Sequence, residues 1–143
     1  MAGEYDKRLI GKKMLKQIVR SSAAPEAIGP YSQAVRSGDI VFCSGQLPVD
    51  VTNGKIPDGI SAQTRMVLRN LSEVLKSSGS SLSAVLKTTV FMIDLEQFEL
   101  MNQVYREFFH EDAPARSTVQ VTKLPKGALI EIEAVAVANG EKE

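Results

Sequence analysis

The chain has 143 residues, 43% of them hydrophobic, and its 17 basic and 17 acidic side chains cancel, so we expect one domain with one core and no overall charge that attracts nucleic acid. Cys43 is the only cysteine and His110 the only histidine, which excludes an internal disulfide and a structural zinc site and favours a reducing compartment. The longest purely apolar run, 134–138, is far shorter than the roughly 20 residues of a membrane-spanning helix.

Residues 1–15 are predicted to be a leader in front of a single domain that covers 16–143. Residues 1–20 carry six cations and two anions, a net charge of +4 that leaves −4 for the rest of the chain. They could form a weak basic amphipathic helix for import into an organelle, although the two anions argue against it. The alternatives are a mobile leader or extra sequence before a natural start at Met14. The compartment therefore stays open between cytoplasm and mitochondrion.

Turn-forming residues divide the chain after residue 16 into short apolar segments. Residues 40–43 follow a Gly-Asp turn, and residues 85–93 combine β-branched with aromatic side chains, so both segments are predicted to be strands. Between them, apolar side chains recur at helical spacing over 66–75 and stop before Gly79, a residue that readily takes the left-handed turn ending a helix. One helix of about five turns is expected there.

A second helix is predicted to begin at Asp94. The Asp94 carboxylate can accept hydrogen bonds from the first free backbone N–H groups, while Gln97 reaches back three residues later. The buried stripe of this helix would consist of Phe98, Met101, Tyr105 and Phe108. The helix would therefore pack on the rest of the domain through one face.

The last predicted strand covers 129–138, and strand periodicity places its successive side chains on alternate faces. Its apolar face would hold Ile130, Ile132, Ala134 and Ala136, and its other face Glu131 and Glu133. The order strand, strand, helix, strand, helix, strand, strand indicates an α+β domain, a mixed β-sheet covered on one face by two α-helices. The uncovered face, with Val35, Phe91 and Val119, cannot stay solvated without a risk of aggregation. We therefore expect a homo-oligomer.

Several short motifs occur in an order that is typical of one family. They are AIGPYSQA at 27–34, SGQ at 44–46, KTTVF at 87–91, and PARS at 114–117 followed by IEIEA at 130–134. Together they resemble the reactive intermediate deaminases, the RidA (YjgF/YER057c-like) family. The resemblance covers the chain from Lys16 to Asn139, and it is the collinear order of the motifs that makes it specific.

This resemblance implies a fold, an assembly and an activity. The fold would be a chorismate-mutase-like α+β fold of the bacillus type, in a homotrimer whose sheets form a central barrel-like core with active sites between subunits. The activity would be hydrolysis of enamine and imine intermediates, chiefly 2-iminopropanoate and 2-iminobutanoate, to 2-oxo acids and ammonia. The family needs no cofactor and no metal, and its partners are small 2-imino and 2-oxo acids.

Two charged residues are expected to carry this chemistry. Arg116 presents a planar fork of N–H donors that can bind a substrate carboxylate in a bidentate manner, although an isolated arginine would more often form an ordinary salt bridge. Glu131 is expected to orient water and to move a proton. Alternation alone does not separate Glu131 from Glu133, and only the family pattern selects it.

Tyr31 and the pair Ser44-Gly45 are also expected to contact the substrate, the pair at its imine end. Tyr31, in the loop after Gly29-Pro30, could close over a small substrate and donate a hydrogen bond. Ser44 could bind the imine through its hydroxyl, and Gly45 would let the backbone approach closely. A packed loop tyrosine and a tight turn explain the same residues without function.

Four further positions are assigned to substrate binding by the resemblance. Asn102 and Tyr105 lie three apart on one helix face, where Asn102 could contribute an amide to the pocket rim. Phe91 would form an apolar wall, and a purely structural role suits these three residues equally well. Thr118 stands where many relatives carry cysteine, which excludes thiol-based regulation at that position.

Two other functions compete with deamination. Members of the family have been described as endoribonucleases that inhibit translation, but the chain after residue 20 has a net charge of −4 and the single His110 gives no pair for acid–base cleavage of RNA. A non-catalytic sensor or chaperone-like binder would use Arg116 to hold a carboxylate without turning it over. Glu131 favours catalysis.

Overall fold

Residues 16–138, the part of the chain that this computed structural model describes, form one six-stranded sheet and two α-helices. The elements in chain order are β1 (Gln17–Val19), β2 (Ala34–Ser37), β3 (Ile40–Gln46), α1 (Ile60–Ser77), β4 (Val85–Met92), α2 (Phe98–Phe108), β5 (Ala115–Gln120) and β6 (Ile130–Val137). The predicted leader lies outside the described residues. Within this range, neither helix is both long and apolar enough to cross a membrane.

The strands lie side by side in the order β1-β2-β3-β6-β4-β5. β4 and β5 run parallel and are connected through α2, whereas the other neighbouring strands are antiparallel. This confirms the predicted α+β class and the mixed sheet. The edge strand β1 was not predicted, because its three residues are too few for an alternating pattern to appear.

Both helices lie on the same face of the sheet. α1 packs on β3 and β6 and against α2. On β6 the alternation is confirmed, because the side chains beneath the helices are buried: Ile130, Ile132, Ala134 and Ala136. Glu131 and Glu133 point to the opposite, uncovered face, as predicted.

The end of α1 follows the predicted glycine. Gly79 has a φ of 79°, a left-handed conformation that costs a glycine little. Its N–H donates to the Lys76 carbonyl at 3.1 Å, and the Ser80 N–H donates to the Leu75 carbonyl at 2.9 Å. These two bonds satisfy the carbonyls that the last turn leaves free, and the helix has the predicted length of five turns.

The second helix begins later than predicted. The Asp94 carboxylate accepts from the Glu96 N–H at 3.0 Å, as expected of a capping residue. This cap starts a short 3₁₀ turn, Leu95–Gln97, and the α-helix itself begins at Phe98. The prediction for Asp94 was therefore right. The Gln97 side chain forms no hydrogen bond back to Asp94 among the described residues, and the predicted first α-helical residue was wrong by one turn.

The uncovered face carries apolar side chains, as predicted. Strand pairing places Val35 beside Phe42, and Phe91 between Val119 and Glu131. The Phe42 side chain is 53% exposed and Val119 is 41% exposed. An apolar area of this kind on a sheet is typical of a surface that another chain covers.

The single cysteine lies on the helix-covered face and is sealed from solvent. Cys43 is 4% exposed and pairs with Ala34 on β2 and Ala134 on β6. Burial raises the pKa of its thiol to about 12. The thiol is therefore protonated at neutral pH and acts as a small apolar core residue.

We expect the chain to self-associate through the uncovered face. Burying the Phe42 side chain between two copies would contribute about 2 kcal/mol, so Phe42→Glu should raise the dissociation constant by at least about tenfold. Sedimentation equilibrium of both proteins at micromolar concentration would measure this. Leu100→Glu is the control, because Leu100 is also exposed but lies on α2. A wild-type monomer of 15.6 kDa would contradict the prediction.

Candidate functional site

The predicted site residues fall into two groups on opposite faces of the sheet. Arg116 on β5 aligns with Thr88 on β4, on the face covered by the helices. Glu131 on β6 aligns with Phe91 on β4, on the uncovered face. One chain therefore does not bring Arg116 and Glu131 together, and each group has to be described by itself.

The first group lines a groove of about 470 Å³ that contains Glu131. It brings together three residues that were predicted to contact the substrate, Tyr31, Ser44 and Gly45, with the predicted acid–base residue. Apolar side chains also line this groove: Pro25, Ala27, Leu47 and Val49. The groove therefore combines apolar walls with a few polar groups, which is typical of sites for small organic ligands.

Gly45 is in close contact with the Glu131 side chain. A Cβ added to residue 45 would lie 2.8 Å from the Glu131 carboxyl carbon and 2.9 Å from its Oε1. The pairing of β3 with β6 shifts register between Cys43 and Gln46, which is the stretch that holds Gly45. A larger residue at position 45 would therefore displace the Glu131 carboxylate.

The environment of Glu131 favours its protonated form. Burial raises the pKa of this half-buried carboxyl group, and the like charge of Glu133 on the same face raises it further. Glu131 therefore holds a proton to higher pH than an exposed glutamate, which suits a group that gives and takes protons. Among residues 16–138, no cluster of three metal-ligating side chains forms.

Ser44 and Tyr31 have complementary hydrogen-bonding capacity. The Ser44 hydroxyl donates to the Ser32 carbonyl at 2.6 Å, so its oxygen can still accept a hydrogen bond. The Tyr31 hydroxyl oxygen accepts from the Ile28 N–H at 3.3 Å, so its hydrogen can still be donated. Tyr31 is 53% exposed in its loop and lines the groove.

The second group surrounds Arg116. Its Nη1 donates to the Asn102 Oδ1 at 2.8 Å. The guanidinium carbon lies 4.7 Å from the centre of the Tyr105 ring and 5.4 Å from that of Phe98. Within residues 16–138 it forms no ion pair with a carboxylate, so the guanidinium is held by an amide and two aromatic faces with its charge uncompensated.

The remaining predicted residues divide between the two faces. Tyr105 and Asn102 do accompany Arg116, but Asn102 contacts the guanidinium and not a groove rim. Phe91 is the direct neighbour of Glu131 on β4, on the same uncovered face, but it does not line the groove that contains Glu131. Thr118 is on the same strand and face as Arg116, and its buried Oγ1 has no hydrogen-bond partner among the described residues.

Sequence reasoning missed three residues of these groups. Phe98 was predicted only as core, yet its ring contacts Arg116. Thr88 bonds the hydroxyl of Tyr105 at 2.8 Å, and nothing in its motif distinguishes it from an ordinary strand threonine. Lys126 lines the groove of Glu131 and has a φ of 59°, uncommon outside glycine. The Pro-Lys-Gly sequence signals a turn but not where that turn lies.

Comparisons with known proteins agree on one family. A family model described as Endoribonuclease L-PSP matches residues 21–138. A RutC family protein of Pyrococcus horikoshii is 47% identical over 123 residues, which cover 85% of this chain and 98% of that protein. The human 2-iminobutanoate/2-iminopropanoate deaminase is 39% identical over 125 residues, 87% of this chain and 91% of that protein. The crystal structure of E. coli TdcF with bound serine aligns with a TM-score of 0.83 and 44% identity, covering 86% of this chain and 99% of that one.

The contact between Gly45 and Glu131 predicts a coupled effect on stability. Gly45→Ala should lower the free energy of unfolding by about 1 kcal/mol, because the new methyl group overlaps the Glu131 carboxyl group and forces it to turn away. In a Glu131→Ala background the same substitution should cost little, since the overlapping atoms are gone. Urea unfolding of the wild type, Gly45→Ala, Glu131→Ala and the double variant would measure both costs. An equal cost in the two backgrounds would contradict the contact.

Proposed function

Because this chain belongs to the endoribonuclease L-PSP (YjgF/RidA) family, we propose that it is a cofactor-independent deaminase that hydrolyses 2-imino acids to 2-oxo acids and ammonia. The observation that carries the proposal is the guanidinium of Arg116, held in place without a carboxylate partner among the described residues. The human relative named as a 2-iminobutanoate/2-iminopropanoate deaminase supports the choice of substrate. So does TdcF, whose bound serine carries an α-carboxylate.

In this mechanism Arg116 binds the substrate carboxylate. Its Nη1 is occupied by Asn102, so the carboxylate takes the edge formed by Nε and Nη2. Two parallel charge-assisted hydrogen bonds along that edge fix both the position and the orientation of the substrate. The aromatic rings of Tyr105 and Phe98 exclude water from the faces of the guanidinium.

Glu131 activates water and returns the proton. Water oxygen attacks the carbon of the C=N bond, whose electron pair moves to nitrogen, while Glu131 takes a proton from the water. Glu131 passes this proton to the nitrogen, which gives a tetrahedral carbinolamine. It then takes the proton of the new hydroxyl group and delivers it to the nitrogen as the C–N bond breaks, so that ammonia leaves and the carbonyl of the 2-oxo acid forms. The Ser44 oxygen accepts a hydrogen bond from the imine N–H, and Tyr31 donates one to the developing hydroxyl.

The complete site requires two copies of the chain, because Arg116 and Glu131 lie on opposite faces of the sheet. One copy supplies Arg116 with Asn102 and Tyr105, and the next supplies Glu131 with the rest of its groove. A homotrimer closes this head-to-tail arrangement with three equivalent sites. The apolar uncovered face and the exposed edge strand β5 support such an assembly.

Loss of the guanidinium should abolish most of the activity. We expect Arg116→Ala to lower kcat/KM for 2-iminobutanoate by about 100-fold or more, because two charge-assisted hydrogen bonds are lost. Arg116→Lys should lose about tenfold, since it keeps the charge without the fork. The imine is generated with a threonine dehydratase, and the imine that remains unhydrolysed is trapped with semicarbazide. Arg65→Ala is the control, because Arg65 pairs with Glu107 between the helices. An unchanged rate in Arg116→Ala would remove the mechanism.

Mixing two inactive variants would test whether the site is shared. Arg116→Ala and Glu131→Gln should each be inactive alone, but unfolding and refolding them together should restore on the order of a quarter of the sites. In those sites an intact Arg116 faces an intact Glu131 from another copy. The activity of the mixture is measured with the same semicarbazide assay. A mixture that stays as inactive as its components would contradict the shared site.

A second candidate function, cleavage of RNA, comes from the description of the matching family, Endoribonuclease L-PSP. His110 does not support RNA cleavage here, since it lies in a separate groove beside Leu82 and Phe108, with no second histidine in the chain. A wild-type protein that is inert toward imines but degrades messenger RNA in a strongly salt-dependent manner would favour this function. Binding of 2-oxo acids without turnover would instead favour a sensor.

A further inference from the structure

We infer that Thr88 is a positioning residue for the carboxylate-binding arginine: its hydroxyl fixes the ring of Tyr105, and that ring carries the guanidinium of Arg116. The inference rests on the proposed function for its reaction, but its structural part concerns carboxylate binding alone. Thr88 does not contact the substrate. It acts through two successive side-chain contacts.

The first contact is a hydrogen bond between two buried hydroxyl groups. The Thr88 Oγ1 lies 2.8 Å from the Tyr105 hydroxyl oxygen. Thr88 is fully buried and Tyr105 is 6% exposed, so no water competes for either group. Burial raises the pKa of the Tyr105 phenol, which therefore remains a neutral hydroxyl group.

The second contact joins the ring of Tyr105 to Arg116. The guanidinium carbon stands 4.7 Å from the ring centre, and strand pairing aligns Arg116 directly with Thr88. Phe109 packs at a centroid distance of 4.7 Å from the same ring. The hydroxyl end of the ring is thus tied to β4 while its face supports the arginine from β5.

An apolar pair would serve the core at least as well as this hydroxyl pair. Valine and phenylalanine fill nearly the same space, and replacing both partners of a buried hydrogen bond by apolar groups of the same shape is close to neutral for stability. What the apolar pair would lack is a directional bond that fixes the ring along its long axis. The hydroxyl pair therefore contributes placement, and carboxylate recognition by a bidentate fork depends on placement.

The bond can be tested with Thr88→Val, Tyr105→Phe and the double variant. Each single variant leaves one buried hydroxyl without a partner, so both should lose stability, whereas the double variant should regain it. The KM for 2-iminobutanoate should behave differently. It should rise by about fivefold to tenfold in all three variants, with kcat nearly unchanged, because each of them lacks the same positioning bond.

Two further variants separate positioning from folding. Thr88→Ser keeps the hydroxyl, so its KM should stay within about twofold of the wild type even though the lost methyl group lowers stability. Thr64→Val is the matched control, because Thr64 is also fully buried but its hydroxyl donates to the Ile60 carbonyl within α1. It should lose stability without a change in KM.

Direct binding of 2-oxobutanoate, measured by calorimetry, makes the inference independent of turnover. A weaker affinity in Thr88→Val and in the double variant, with a wild-type affinity in Thr64→Val, supports the positioning role even if the wild type hydrolyses no imine and the proposed function fails. If the double variant regains wild-type affinity together with its stability, or if Thr88→Val binds as tightly as the wild type, the inference is overturned.

Discussion

The sheet separates the two charged groups of the candidate site, and the rest of the arrangement depends on this separation. In β5 the side chain of Arg116 projects toward the helices, whereas in β6 the side chain of Glu131 projects away from them. Neighbouring strands in register cannot exchange these directions without moving every other side chain to the wrong face. The partners of each charged group are therefore fixed by the fold: aromatic and amide groups for the arginine, a groove and a glycine for the glutamate.

Within a single chain, this separation keeps both groups chemically available until a second copy completes the site. An arginine and a glutamate within reach of each other would form an ion pair, which would lower the pKa of the carboxyl group and occupy the guanidinium. Here Glu131 is influenced by burial and by Glu133, both of which raise its pKa. Arg116 is held by Asn102 and Tyr105, neither of which compensates its charge. Each group thus keeps the property that imine hydrolysis would use.

Local patterns in the sequence predicted much of the fold but only part of the candidate site. Alternation identified the two faces of β6 because every second residue is apolar, and Gly79 marked the end of α1 because its backbone is left-handed. The 3₁₀ turn before Phe98 escaped prediction, since a capped 3₁₀ turn and a capped α-helix begin with the same residues. The family motifs selected Arg116 and Glu131, but their placement on opposite faces depends on the register of strands that lie far apart in the chain. Thr88 could not be singled out as a site residue from the sequence, because β-branched residues are expected in any strand.

The burial of Cys43 has a practical consequence. It is the only thiol of the chain, and in the folded protein it is almost wholly covered and keeps its proton. Oxidants and alkylating reagents that inactivate thiol-dependent hydrolases therefore find no reactive thiol in the folded chain. A cysteine introduced at any exposed position would be the single reactive one, so a fluorophore or spin label could be attached there without first removing the native residue.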